Sequence, residues 1–153
     1  MALRGIEVLK RLNIDHEVLT YRFVKGARVA ADALNVPHDG MVKSLVFRAD
    51  DGSFLFALLG GDANVSPRNL GRALGHKHVE AAAPRDAERM TGYQVGGISP
   101  LGSRNTLPVL LDTLTAQHEQ LIINAGGRGT LVRLATSDLI RITAASVVDI
   151  RAV

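Results

Sequence analysis

Between Gly92 and Gly102 the chain places four glycines and one proline in eleven residues, a density that neither a helix nor a strand accommodates. The stretch is therefore a shaped loop, and its neighbours must be arranged to hold it. Glycine lets the backbone take positive φ and approach a ligand closely, so Gly96-Gly97 can turn amide N–H groups toward an anion or a carbonyl oxygen. Ser99 precedes Pro100, whose ring biases Ser99 toward an extended conformation and so aims its hydroxyl. The same residues also suit a tight connector between two elements, and alone they do not separate the two uses.

The flanks supply the elements. A helix is predicted over 84–91, closing at Gly92 and delivering the chain into the loop. Upstream, 41–48 and 53–59 read as two apolar strands joined by Asp50-Asp51-Gly52, whose Asp-Gly pair signals a hairpin. Ser66-Pro67 opens a helix that runs to Leu74 and stops at Gly75. Earlier still, 2–12 forms an amphipathic helix ended by Asn13, 17–23 a strand, and 28–34 a short helix before Pro37. Beyond the loop, strands are predicted over 107–111, 120–124, 130–135 and 146–150, with Thr136 capping a helix through Arg141. Hairpin-like strands interspersed with short helices argue for an α+β fold: a mixed, curved, partly barrel-like sheet with helices packed outside.

At 153 residues and 46% hydrophobic content, the chain suits one domain, 1–153, with one substantial core. It has no cysteine, hence no disulfide, thiolate metal site or thiol nucleophile. The longest apolar run, 54–59, is far too short to span a bilayer, so a cytoplasmic protein without membrane contact is expected. A net charge of +3 permits an acidic partner such as nucleic acid without establishing one. No Gly-x-Ser-x-Gly elbow, Walker loop or dinucleotide fingerprint occurs, and serine hydrolase, NTPase and oxidoreductase chemistry lack their required geometry. No cofactor is expected. His76 and His78 share a strand-like face, but without a third ligand nearby they read as surface residues and no metal site is expected.

Fourteen of the basic residues are arginine and four are lysine, so a lysine inside an apolar strand stands out. Lys43 projects to the same side as Met41, Leu45 and Phe47. One reading has its stem covering apolar surface at an edge strand. The other has a partly desolvated amine poised to act on a ligand. Ala125-Gly126-Gly127-Arg128-Gly129, between two apolar strands, is either a plain hairpin turn or a second glycine loop offering the Arg128 fork to a phosphate. Tyr21 is either a half-buried strand tyrosine or a pocket residue. Asp138 stabilises the first turn of its helix.

Three segments in this order and spacing resemble the YbaK/prolyl-tRNA editing family of aminoacyl-tRNA deacylases. They are Met41-Val42-Lys43-Ser44-Leu45-Val46-Phe47, the loop from Thr91-Gly92-Tyr93 to Gly96-Gly97-Ile98-Ser99-Pro100-Leu101-Gly102, and Ile123-Asn124-Ala125-Gly126-Gly127-Arg128-Gly129. The resemblance implies the editing-domain fold and trans-editing hydrolysis of a mischarged aminoacyl-tRNA ester, Cys-tRNA(Pro) or Ala-tRNA(Pro). It implies tRNA as partner, with prolyl-tRNA synthetase as a second. Lys43 would be the functional lysine and the Gly96 and Gly97 amides would hold the developing oxyanion. Tyr21, Ser99, Pro100, Asn124, Gly126 and Arg128 would bind substrate. Asn124 stands where several relatives carry a serine. The segment between Tyr21 and Lys43 is shorter than in cysteine-specific relatives, and Gly26 falls near their aromatic residue. A non-catalytic module that recognises the aminoacylated acceptor end or docks on a synthetase is the alternative, and a nucleotide binder is a third reading.

Overall fold

The Asp-Gly hairpin forms as its sequence requires. Gly52 sits at φ 85°, its N–H donates to the Ala49 carbonyl at 3.0 Å, and Asp51 Oδ1 accepts the Ser53 N–H at 2.9 Å. In the computed structural model, which describes residues 4–21, 31, 32 and 34–153, this turn joins β2 (Val42–Ala49) to β3 (Phe54–Gly60). β3 is buried from Leu55 to Gly60, as befits a central strand covered on both faces. Before the hairpin lie α1 (Arg4–Arg11), β1 (His16–Thr20) and a 3-10 turn (His38–Gly40). After it come α2 (Pro67–Leu74), β4 (Val79–Ala81), α3 (Pro84–Thr91), β5 (Val109–Asp112), a second 3-10 turn (Thr115–Gln117), β6 (Gln120–Gly127), β7 (Thr130–Ala135), α4 (Thr136–Thr143) and β8 (Ser146–Val148).

The strands make two sheets. Five run in the order β4-β2-β3-β5-β8 and three in the order β1-β7-β6. The larger sheet is mixed: β2 pairs antiparallel with β3 and β4, whereas β3–β5 and β5–β8 are parallel. Among the described residues a parallel bridge, Met41 to Ile122, links the sheets. The partly closed barrel expected from the strand pattern is not formed among the described residues, because neither sheet closes on itself. Two faces of the larger sheet explain why. One packs Val42, Val46, Phe56 and Leu58 against the small sheet, α1, α3 and the glycine loop. The other packs Phe47, Leu55, Ala57 and Leu110 against Leu70 of α2 and Ile150. A sheet covered on both faces gains nothing by curling shut.

Local signals account for the helix ends. Ser66 Oγ accepts the Asn69 N–H ahead of Pro67, and Gly75 closes α2 at φ 76°; Gly92 closes α3 at φ 80°. Thr136 differs from expectation: Ala135 is the N-cap of α4 and makes no side-chain cap, while the Thr136 hydroxyl donates to the His118 carbonyl. β4 was not foreseen, since three residues give too short an alternation to read. The helix expected over 28–34 and the end of the strand expected over 17–23 fall largely outside the described residues. No helix among the described residues is long and apolar enough to cross a membrane.

Candidate active site

β2 is paired along its whole length with β3 but only at its far end with β4, through Phe47, Arg48 and Ala49. At its near end Met41 bridges to Ile122. Between these anchors one edge of β2 is open, and there lies a cavity of about 370 Å³. The Ala49 N–H donates to Ser53 on the β3 side, while the Val46 carbonyl accepts the Ala82 N–H on the opposite edge. Antiparallel pairing alternates residue by residue, so the N–H and C=O of Ser44 face the open edge too. The walls are mainly apolar, from Val46, Ala82, Ala87, Val95, Ile98 and Leu131.

Lys43, Tyr21, Gly96 and Asn124 all line this cavity, although they come from four separate segments. Lys43 stands opposite Leu59, and its Nζ donates to the Ala63 carbonyl. Burial pushes its pKa below the ordinary lysine value; Asp62 opposes that shift and the Arg151 charge reinforces it. Tyr21 is fixed by its N–H, which donates to the Gly129 carbonyl at 3.0 Å, and burial pushes its phenol upward. Asn124 carries a buried Oδ1 with no hydrogen-bond partner among the described residues, and so does the Ser44 hydroxyl. Both residues line the cavity. A buried polar atom without a protein partner is one that a bound polar group would satisfy.

The glycine loop divides its labour. Gly96, at φ 97°, lines the cavity, and no hydrogen bond from its N–H is found among the described residues. Gly97 does not match expectation: its N–H donates to the Gln94 carbonyl at 2.9 Å. Its Cα instead abuts the second loop, where an added Cβ would lie 3.0 Å from the Gly127 carbonyl carbon. The Gly97 amide is thus engaged within the loop rather than turned toward a ligand. Ser99 is fully buried, and its Oγ accepts the Leu101 N–H at 3.0 Å. Ser99, Pro100, Gly126 and Arg128 lie outside the cavity lining. Arg128 is exposed, and its Nε donates to the Val95 carbonyl at 2.9 Å, clipping the second loop to the rim of the first. The second loop itself is mostly strand, with a bulge between Asn124 and Gly127, so the turn is Arg128-Gly129.

Two contributors were not read from the sequence. Ser44 shares one face of β2 with Val42 and Val46, and a hydroxyl on that apolar face was the legible signal. Tyr93 organises the loops from behind: its O–H donates to the Leu101 carbonyl at 2.6 Å, and the Arg4 guanidinium covers its ring at 4.8 Å. Away from the cavity, His76 Nδ1 lies 2.9 Å from Asp50 Oδ1, and His78 is exposed.

Residues 23–142 match the family model described as "Aminoacyl-tRNA editing domain". The chain is 29% identical over 142 residues, 93% of its length and 87% of the relative's, to the Enterococcus faecalis protein named "Putative Cys-tRNA(Pro)/Cys-tRNA(Cys) deacylase EbsC". It is 32% identical over 95 residues to a proline--tRNA ligase of Trichlorobacter lovleyi, covering 62% of this chain and 16% of that ligase. Among solved structures, the hypothetical protein APE2540 superposes with a TM-score of 0.90 at 21% identity, over 97% of this chain and 99% of that one. A structure described as "a putative trans-editing enzyme for prolyl tRNA synthetase" does so with a TM-score of 0.82 at 24% identity, over 100% of this chain and 99% of that one.

Proposed function

The chain belongs to the aminoacyl-tRNA editing domain family, and on that premise we propose that it hydrolyses the ester of a mischarged aminoacyl-tRNA, Cys-tRNA(Pro) or Ala-tRNA(Pro). The observation that carries the reading is the convergence of Lys43, Tyr21, Gly96 and Asn124 on one cavity beside the open edge of β2. A relative named for Cys-tRNA(Pro) and Cys-tRNA(Cys) deacylation supports it.

An aminoacyl ester is already activated, so positioning and charge stabilisation supply most of what catalysis needs. The amino-acid portion enters the apolar cavity, with Ser44 and Asn124 meeting its polar atoms. A water oxygen, or the substrate's own thiol in the case of cysteine, adds to the ester carbonyl carbon. The carbonyl oxygen becomes an oxyanion held by the Gly96 N–H and the Lys43 ammonium. The bond to the ribose oxygen then breaks, that oxygen takes the proton given up by the attacking water or thiol, and free tRNA leaves. When the thiol attacks, it releases a cyclic thioester; when water attacks, the free amino acid. Small walls such as Ala82 and Ala87 select small side chains, which a synthetase separates poorly by binding alone. The tRNA acceptor end lies outside the cavity, and the work is cytoplasmic. The match to part of a proline--tRNA ligase supports a prolyl-tRNA synthetase as partner.

The test is deacylation of Cys-tRNA(Pro) and Ala-tRNA(Pro) side by side, by the wild type and by Lys43→Ala. Turnover of one ester that falls by about 100-fold or more in Lys43→Ala is the expected result. Hydrolysis of neither ester by a folded wild type overturns the reading and favours a non-catalytic module.

A further inference from the structure

Lys43 is held at its amine end by the Ala63 carbonyl, and the segment carrying Ala63 is held by the chain's last residues. Val65 bridges antiparallel to Arg151. The Ser66 N–H donates to the Ile150 carbonyl and the Ala152 N–H to the Asn64 carbonyl, each at 2.7 Å.

The Arg151 side chain then reaches inward. Its Nε donates to Asp112 Oδ2 at 3.1 Å, and its Nη2 to Asp39 Oδ1 at 3.1 Å and Thr115 Oγ1 at 3.2 Å. Asp112 is 1% exposed and also accepts the Ile150 N–H at 3.2 Å. Thr115 Oγ1 accepts the Gly60 N–H at 2.9 Å, at the end of β3. One guanidinium thus joins the C-terminal segment, the ends of β3 and β5 and both 3-10 turns. Buried ion networks are poor devices for stability alone, since well-packed apolar side chains often do as well. This one, part-buried, also adjoins the segment whose Ala63 carbonyl holds Lys43. The charges that act on that amine are Asp62 and Arg151, backed by His38 against Asp62 and by Asp39, Asp112 and His118 around Arg151.

We propose that Arg151 is a positioning residue for Lys43: it holds the C-terminal segment against the loop whose Ala63 carbonyl orients the ammonium. The proposal rests on the reading of Lys43 as the charge-stabilising group, but its test does not depend on that reaction.

Four lysines can be followed one by one, so trace acetylation with acetic anhydride over a pH series, read by peptide mass, reports the protonation of Lys43 with Lys77 as internal control. Removing Arg151 removes a like charge and leaves Asp39 and Asp112 less compensated, both of which favour the ammonium. Half-labelling of Lys43 in Arg151→Met therefore moves to higher pH while Lys77 stays in place. Arg151→Lys, which keeps the charge, restores the wild-type position. Asp62→Asn moves it to lower pH. In deacylation, Arg151→Met lowers kcat about tenfold with KM nearly unchanged, because the amine is displaced rather than the pocket. Lys43 labelling in Arg151→Met at the wild-type pH overturns the proposal. Should that variant fail to fold, Arg151→Gln, which loses the charge but keeps hydrogen-bonding groups, decides: an unmoved Lys43 overturns the proposal and an upward shift supports it. Labelling that moves as expected in a protein hydrolysing neither ester supports the positioning role and overturns the proposed reaction.

Discussion

Gly126 and the Tyr93 ring approach more closely than any other residue at 126 would allow: an added Cβ would lie 2.6 Å from Tyr93 Cε1 and 2.9 Å from Cζ. Gly126 also sits at φ 101°. The contact joins the two glycine loops through one buried aromatic ring, so the rim that carries Gly96 depends on a residue outside the cavity.

Gly126→Ala is therefore expected to destabilise the protein by about 2–4 kcal/mol, combining backbone strain at positive φ with overpacking against the ring. Gly75→Ala is the comparison, because Gly75 has φ 76° but nothing within 4 Å of an added Cβ. That change should cost about 1 kcal/mol, from strain alone. Urea unfolding of both variants reads the difference, and equal losses would show that the Tyr93 contact contributes nothing.

Ser44→Ala separates binding from folding. Its hydroxyl is buried without a partner among the described residues, so deleting it leaves stability unchanged or raises it by up to about 1 kcal/mol. If that hydroxyl meets the substrate, kcat/KM for the accepted ester falls roughly tenfold at the same time. Thermal melts and steady-state kinetics on one preparation check both halves. A variant less stable than wild type with unchanged kinetics would make Ser44 a packing residue.

Stability should peak in mildly acidic solution. The His38 pKa is raised above its ordinary 6.5, first by its hydrogen bond to Asp32 and then by Asp62, against some desolvation. The stability it contributes is fully present below pH 6.5 and is lost as pH rises through the folded value. Asp39 behaves oppositely: burial pushes its carboxyl up, but His118 and Arg151 together hold it below 3.8. Its contribution is present above that value and is lost as pH falls through the folded one. Melting temperatures from about pH 3 to 9 test this, with His38→Asn expected to flatten the alkaline limb. A His38→Asn curve running parallel to wild type would remove His38 from the account.

Much of the local structure was legible because its causes are local. The Asp-Gly turn, the Ser66-Pro67 helix start and the Gly75 and Gly92 helix ends each depend on one or two residues and the conformations open to them. The alternation that sets Lys43 on one face of β2 is likewise a property of a few neighbouring residues. The family resemblance adds the three motifs and points to Lys43 and Asn124, which the fold brings to one cavity.

Tertiary structure decided the rest, for a physical reason visible at Gly96 and Gly97. The two are adjacent and alike in sequence, yet one turns its amide into the Gln94 turn and the other lines the cavity. Nothing in a Gly-Gly pair specifies which, because that choice is made where the second loop packs against the first. The open edge of β2 has the same origin: it exists because β4 is only three residues long and Met41 bridges to the other sheet. Local chain propensities determine turns, caps and faces. Which of their polar groups stay unpaired, and therefore remain available for a ligand, is settled only when distant segments meet.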